Sequence, residues 1–138
     1  MPLLPHEVFA KMSSAKSKSE KVKLLKENEH WALKDIIRGS MDSTVKWNLP
    51  SGEPPFTKSE AHSAPTSIFR EHKKFAYFVK GGKGDNLPAF KRENIFIGIL
   101  EGIHPDDADL VVKMINKEVP KPLTKPIVNE AFPGLLKS

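Results

Sequence analysis

The stretch SKSEKVKLLKENEHWALKDIIRG (residues 17–39) decides the fold class. It opens on Ser17-Lys18-Ser19-Glu20, the spacing of a capping box. The Ser17 hydroxyl can accept from the Glu20 backbone N–H, while the Glu20 carboxylate reaches back to the Ser17 N–H. Val22, Leu24 and Leu25 give the helix that follows its apolar content as far as about Glu27. A second helix, from about Asn28 to Arg38, presents Trp31, Leu33, Ile36 and Ile37 at helical spacing, with Gly39 as its stop.

The same period extends in both directions. A short helix over about Pro5 to Met12 carries Leu4, Val8, Phe9 and Met12 on one face. Beyond Gly39 the character changes: Pro50, Pro54, Pro55 and Pro65, joined by Gly52, rule out a long helix between about 41 and 65, because proline lacks a donor and fixes φ. Val45, Trp47, Leu49 and Phe56 are apolar anchors that a free linker would not carry, so this segment reads as an ordered excursion. The helical pattern resumes near Thr66 with Ile68, Phe69, Phe75, Ala76, Phe78 and Val79. It breaks at the turn-rich Gly81-Gly82-Lys83-Gly84-Asp85-Asn86 and returns from about Phe90 to Glu101. His104-Pro105-Asp106-Asp107 is a fresh helix start, with proline at the first position and carboxylates near the positive end of the dipole, and that helix runs to about Glu118. Thr124 caps a last short helix carrying Ile127, Val128 and Ala131, which Pro133-Gly134 ends. With no alternating strand pattern, the expectation is an all-α fold: one compact multi-helix bundle over residues 1–138 with a single proline-rich irregular excursion. Trp31, Leu33, Ile36, Phe75, Phe96, Leu100, Leu110, Ile115 and Val128 are expected in its core.

Composition excludes whole classes of function. Cysteine is absent, which removes disulfides, thiolate catalysis and most structural zinc sites. No stretch approaches the ~18 apolar residues of a membrane-spanning helix, and Met1-Pro2-Leu3-Leu4-Pro5 lacks the basic start and apolar run of a secretory signal. A soluble, intracellular protein is expected. None of the five histidines (6, 30, 62, 72 and 104) pairs with another at the spacing of a helical metal motif. Asp106, Asp107 and Asp109 lack the alternation and distal glutamate of a calcium loop. Gly81-Gly82-Lys83-Gly84 is not followed by the Lys-Ser/Thr of a phosphate-binding loop and comes after a helical pattern, so it reads as a turn. No catalytic residue, metal or cofactor is expected.

The chain carries 22 Lys and Arg against 17 Asp and Glu, a net charge of +5, and the placement of those charges is the informative part. One cluster is Lys16, Lys18, Lys21, Lys23 and Lys26. A second is Arg70, Lys73, Lys74, Lys80 and Lys83. A third, Lys117, Lys121 and Lys125, lies in a proline-marked turn between two helices, where lysines and helix N-terminal amides can converge on phosphate oxygens. Only Arg38, Arg70 and Arg92 are arginines. Lysine is a point-charge phosphate binder whereas bidentate base reading prefers arginine, so contact with a nucleic-acid backbone is favoured over readout of bases.

In order, these motifs resemble the N-terminal DNA-binding domain of the ATP-dependent DNA ligase of T-even-type phages. The likeness rests on Ser17-Lys18-Ser19-Glu20-Lys21 followed by Leu24-Leu25-Lys26-Glu27-Asn28, on Asp107-Ala108-Asp109-Leu110-Val111-Val112-Lys113-Met114, and on Ile127-Val128-Asn129-Glu130-Ala131-Phe132-Pro133-Gly134-Leu135. The chain also resembles small proteins of T4-like tailed phages, a likeness that brings no function with it. The ligase likeness implies an all-helical domain lying on duplex DNA in the cytoplasm of an infected bacterial host cell, as an accessory of phage replication or repair. Lys117 falls where the ligase has an arginine before its DNA-facing loop, although Glu118-Val119-Pro120-Lys121-Pro122 replaces a glycine-bearing turn. The likeness thus points to Lys117, Lys121 and Lys125, assisted by Lys18 and Lys21, as a DNA-contacting patch. No Lys-x-Asp-Gly adenylation motif occurs, so ligation by this chain alone is not expected and the protein is read as a non-enzyme. The alternative is a protein-interaction adaptor for a sliding clamp, polymerase or transcription machinery, docking through the Trp47-Asn48-Leu49-Pro50 to Phe56 excursion.

Overall fold

A helix leaves its first amides without partners, and five starts in this chain dispose of them with a side chain. In the computed structural model, which describes residues 3–137, the Glu7 carboxylate accepts from the Leu4 N–H at 3.0 Å ahead of Pro5. The Ser17 hydroxyl accepts from the Glu20 N–H at 3.2 Å. The return arm of that capping box falls one residue short of the expected pairing, with Glu20 accepting from the Lys16 N–H at 3.3 Å. Two histidines serve as caps: His30 Nδ1 accepts from the Ala32 N–H at 2.9 Å, and His104 Nδ1 from the Asp106 N–H at 3.1 Å. Thr124 accepts from the Ile127 N–H at 3.4 Å.

The helices so begun are α1 (Pro5–Ser14), α2 (Lys18–Glu27), α3 (Trp31–Met41), α6 (Pro105–Ile115) and α7 (Lys125–Ala131). Two more, α4 (Ile68–Glu71) and α5 (Ala89–Gly102), complete the helical set, and a 3₁₀ segment (His72–Phe78) follows α4. Among the described residues no strand forms, and a single antiparallel bridge joins Trp47 to Val79. The fold is all-α.

Several boundaries differ from the expected ones for identifiable reasons. Asn28 does not open α3 but closes α2, its amide donating to the Leu24 carbonyl at 2.8 Å while its oxygen accepts from the Leu3 N–H at 2.9 Å. Gly39 lies inside α3. A Cβ there would stand 2.5 Å from a ring carbon of Trp47 and 2.7 Å from the Met114 sulfur, so glycine admits close packing rather than stopping the helix. The helix α6 ends at Ile115, not Glu118, in a Schellman arrangement: Glu118 N–H donates to the Lys113 carbonyl at 2.9 Å and Lys117 N–H to the Met114 carbonyl at 3.0 Å. The stripe after Thr66 is α-helical for one turn and then tightens. His72, Phe75 and Phe78 are its buried residues, a spacing of three that matches the three residues per turn of a 3₁₀ helix.

The helices α3 and α6 pack together at the centre; α5 lies on α6, α1 on both α2 and α6, α2 on α7, and α4 with the 3₁₀ segment on α3. Leu33, Ile36, Phe75, Phe96, Leu100, Ile115 and Val128 are buried in one core, with Leu110 half-buried at its edge. Trp31 is a correction, since it is 65% exposed. At 100° per residue it stands about 160° around the helix from Leu33 and about 140° from Ile36. Its ring faces outward under the Lys34 ammonium, 4.7 Å from the ring centre.

The excursion between α3 and α4 is irregular yet tied down at many points. Trp47 Nε1 donates to the Gly39 carbonyl at 2.9 Å, Asn48 N–H to the Phe78 carbonyl at 2.6 Å, and Thr57 N–H to the Glu101 carboxylate at 2.9 Å. Gly52 and Asn116 exchange two hydrogen bonds.

Candidate nucleic-acid interface

The packing of α2 on α7 sets the helix of the first lysine cluster beside the helix that begins at Lys125. Lys18, at the start of α2, lies 3.6 Å from Glu130 of α7, both side chains more than half exposed. Lys21 is half-buried one turn further along α2. Lys125 is the first residue of α7 and Lys121 sits in the turn that feeds it, both exposed. Four of the five expected lysines therefore lie on one helix pair and its adjoining turn.

Lys117 does not join them. Its stem is exposed but its ammonium turns inward, donating to the carbonyls of Gly39 and Asp42 at 2.8 Å each. Desolvation lowers its pKa, against the pull of Asp42. Those carbonyls close the C-terminal end of α3, where a cation complements the helix dipole. Asp42 itself is wholly buried. Burial works to raise its pKa, but hydrogen bonds from the Thr44 hydroxyl (2.7 Å), the Lys137 amide (2.8 Å) and the Thr44 amide (2.9 Å) outweigh it and hold the carboxyl at about 2. Lys117 thus belongs to an internal junction of α3, α6 and the C-terminal segment.

The expected amide donors of α7 are also reduced. Pro126, near its start, has no N–H, and the Ile127 N–H is taken by Thr124. A phosphate on this face would be met mainly by side chains rather than by helix amides.

Other basic residues are partly neutralised. Lys23 lies 3.9 Å from Glu27, Lys74 2.9 Å from Glu71, and Lys58 2.8 Å from Asp109. Arg92 is buried and structural, its guanidinium donating to the carbonyls of Asn48, Gly84 and Leu87. That leaves Arg38 and Arg70 as the exposed arginines. The glycine-rich turn is a packing element: Gly81 N–H donates to Asp85 at 2.8 Å, and a Cβ on Gly84 would run into the Tyr77 carbonyl.

Sequence spacing gave no sign of two histidine–carboxylate pairs that link distant segments. His6 of α1 donates from its backbone (3.1 Å) and from Nδ1 (2.8 Å) to the same oxygen of the fully buried Asp107 of α6. This replaces the expectation that Asp107 only complements the helix dipole. The His6 ring stacks on His104 with centres 4.1 Å apart. Donor atoms of His6, His104 and Asp106 lie within 4.8 Å of one another, but His104 Nδ1 is held by the Asp106 N–H as a cap, and the group reads as a clamp between α1 and α6. The second pair, His72 and Asp35, meets at 2.6 Å. Desolvation raises Asp35, against the hydrogen bond and charge of His72.

What the fold and this surface define is a small all-helical domain with a lysine-bearing helix pair, and among the described residues no helix is long and apolar enough to cross a membrane. The chain belongs to the family described as Family of unknown function (DUF6433), whose model matches residues 8–121. The matched span runs from α1 through the turn at Lys121 and includes Lys18, Lys21 and Lys117. No curated protein matches the sequence.

Proposed function

We propose that this chain is a non-enzymatic DNA-binding module that holds the duplex backbone with little sequence specificity, in keeping with an accessory role in phage replication or repair. The observation that carries the reading is the segregation of charge. Residues 11–27 hold six lysines (11, 16, 18, 21, 23 and 26) against Glu20 and Glu27, a local +4 of the chain's +5. Packing of α2 on α7 sets Lys18 and Lys21 beside the helix that begins at Lys125. With Arg92 buried, the exposed cations are almost all lysines, which suits phosphates rather than base edges.

The test is a titration of two duplexes of unrelated sequence at two salt concentrations. Similar affinities for both, falling steeply with salt, are expected. Salt-insensitive binding, or a preference of more than about tenfold for one sequence, contradicts the proposal.

A second reading, the adaptor for a clamp, polymerase or transcription protein, draws on a groove of about 340 Å³ between Leu49–Pro55 and α5. Phe90 stands at its edge, 63% exposed. Absence of DNA binding by the intact chain brings this reading forward.

A further inference from the structure

A concavity of about 480 Å³ opens where α3, the 3₁₀ segment and the Trp47–Val79 bridge meet. Its apolar wall includes Trp47 and Phe75, whose rings meet edge to face with centres 6.4 Å apart. Arg38, Lys73 and Lys83 also line it. All three are exposed, and among the described residues none has an ion-pair partner. The one carboxylate in the lining, Asp35, is already bonded to His72. A carboxylate only accepts, so His72 Nδ1 donates in that pair.

We propose that this concavity binds a phosphomonoester carried on a flat apolar body, the chemistry of a nucleoside 5′-monophosphate, free or at the end of a strand. Three cations around one hollow exceed what a carboxylate ligand needs. They match a group with three terminal oxygens and a charge of about −1.5 to −2 at neutral pH. The guanidinium of Arg38 offers a planar fork and the two lysines offer point charges, the combination that phosphate recognition uses. Half-buried Trp47, backed by the buried Phe75 ring, supplies apolar surface for a planar body, and the volume falls within the ~300–1,000 Å³ of small-molecule sites. The site lies on α3 and the 3₁₀ segment, so it does not rest on the α2–α7 surface and stands or falls separately from backbone binding.

Calorimetric titration of the full chain with deoxyadenosine monophosphate, deoxyadenosine and inorganic phosphate tests this. The monophosphate is expected to bind at least about tenfold tighter than either fragment. The combined Arg38→Ala, Lys73→Ala and Lys83→Ala variant, checked for an unchanged helical spectrum, is expected to lose at least about tenfold in affinity for it. The control pair is Lys46→Ala with Lys80→Ala. These residues pair through the Lys80 N–H and the Lys46 carbonyl at 2.8 Å, next to Trp47 and Val79 in the chain, so their side chains point to the other face of the bridge. The control is expected to stay within about twofold of the parent. A duplex with a 5′-phosphate, compared with its 5′-hydroxyl twin, separates the two sources of the ligand: a gain from the phosphate beyond the free nucleotide's affinity assigns the strand end, and the reverse assigns the free nucleotide. Equal binding of deoxyadenosine or of inorganic phosphate, an undiminished triple variant, or no saturable binding of either phosphomonoester overturns the proposal.

Discussion

Lys117 adopts φ 59°, the one left-handed non-glycine residue among those described, while its ammonium closes two carbonyls of the α3 terminus. The two features pull against each other: the left-handed backbone is unfavourable for lysine by about 1–2 kcal/mol, and the paired charge-assisted hydrogen bonds offset it. Lys117→Ala keeps the strain and loses the bonds, so a drop of about 1–2 kcal/mol is expected in denaturant unfolding. Lys117→Gly loses the bonds but relieves the strain and is expected to lie about 1 kcal/mol closer to the parent. Glycine proving the more harmful of the two contradicts this account of the junction. The aromatic residues make a matching contrast. Phe96 is 2% exposed in the core and meets Phe78 edge to face, so Phe96→Ala is expected to be destabilising by about 3–5 kcal/mol. Trp31→Ala, on an exposed ring, is expected to stay within about 1 kcal/mol. Thermal unfolding of both variants reads the difference, and comparable losses would show that the ring of Trp31 is held more tightly than its exposure indicates.

At the scale of elements, α1 is fastened to α6 by His6. Burial works to lower the His6 pKa, but the Asp107 hydrogen bond, with the charges of Asp107, Asp106 and Glu7, raises it overall. The groups facing the ring are Asp106, Asp107 and the stacked His104 of the α6 start, and Glu7 of α1. A histidine raised in the folded state contributes stability that is fully present below its unfolded value of 6.5 and lost as pH rises through the folded value. The melting-temperature gap between the parent and His6→Ala is therefore expected to be wider near pH ~5.5 than near pH ~8.5. A gap that is constant, or that widens toward high pH, contradicts this role. Local signals made most elements legible in advance: the Ser17 and Thr124 caps, the His104-Pro105 start, and the apolar spacing of α3 and α6. What escaped was set by partners far along the chain. Gly39 reads as a stop until Trp47 and Met114 are laid against it. Nothing adjacent in the chain marks Arg92 as buried until three carbonyls from two loops converge on it, and Lys117 reads as a phosphate ligand until the end of α3 arrives beneath it. Trp31 is a different case: at 100° per residue its own segment sets it off the stripe of Leu33 and Ile36, so apolar character alone does not bury it.

For the whole molecule, the sequence located the lysine clusters, but only packing decided which of them lie on neighbouring elements. The contact of α2 with α7 sets Lys18 and Lys21 on the helix beside the one that begins at Lys125, with Lys121 in the turn before it, whereas the Lys117 ammonium turns inward. A surface of point charges fastens DNA by releasing counterions from its phosphates, and each lysine that neutralises one phosphate contributes about 0.9 to the slope of log affinity against log salt. The most direct measurement is that slope for duplex DNA, compared among the parent, the Lys117→Ala variant, and the combined variant with Lys18, Lys21, Lys121 and Lys125 replaced by Ala. The slope is expected to shrink by about 3 to 4 in the combined variant, with equal weakening on unrelated sequences, and to stay at the parent value in Lys117→Ala. A combined variant that binds as tightly as the parent with the same slope, or a slope lost through Lys117 instead, contradicts it.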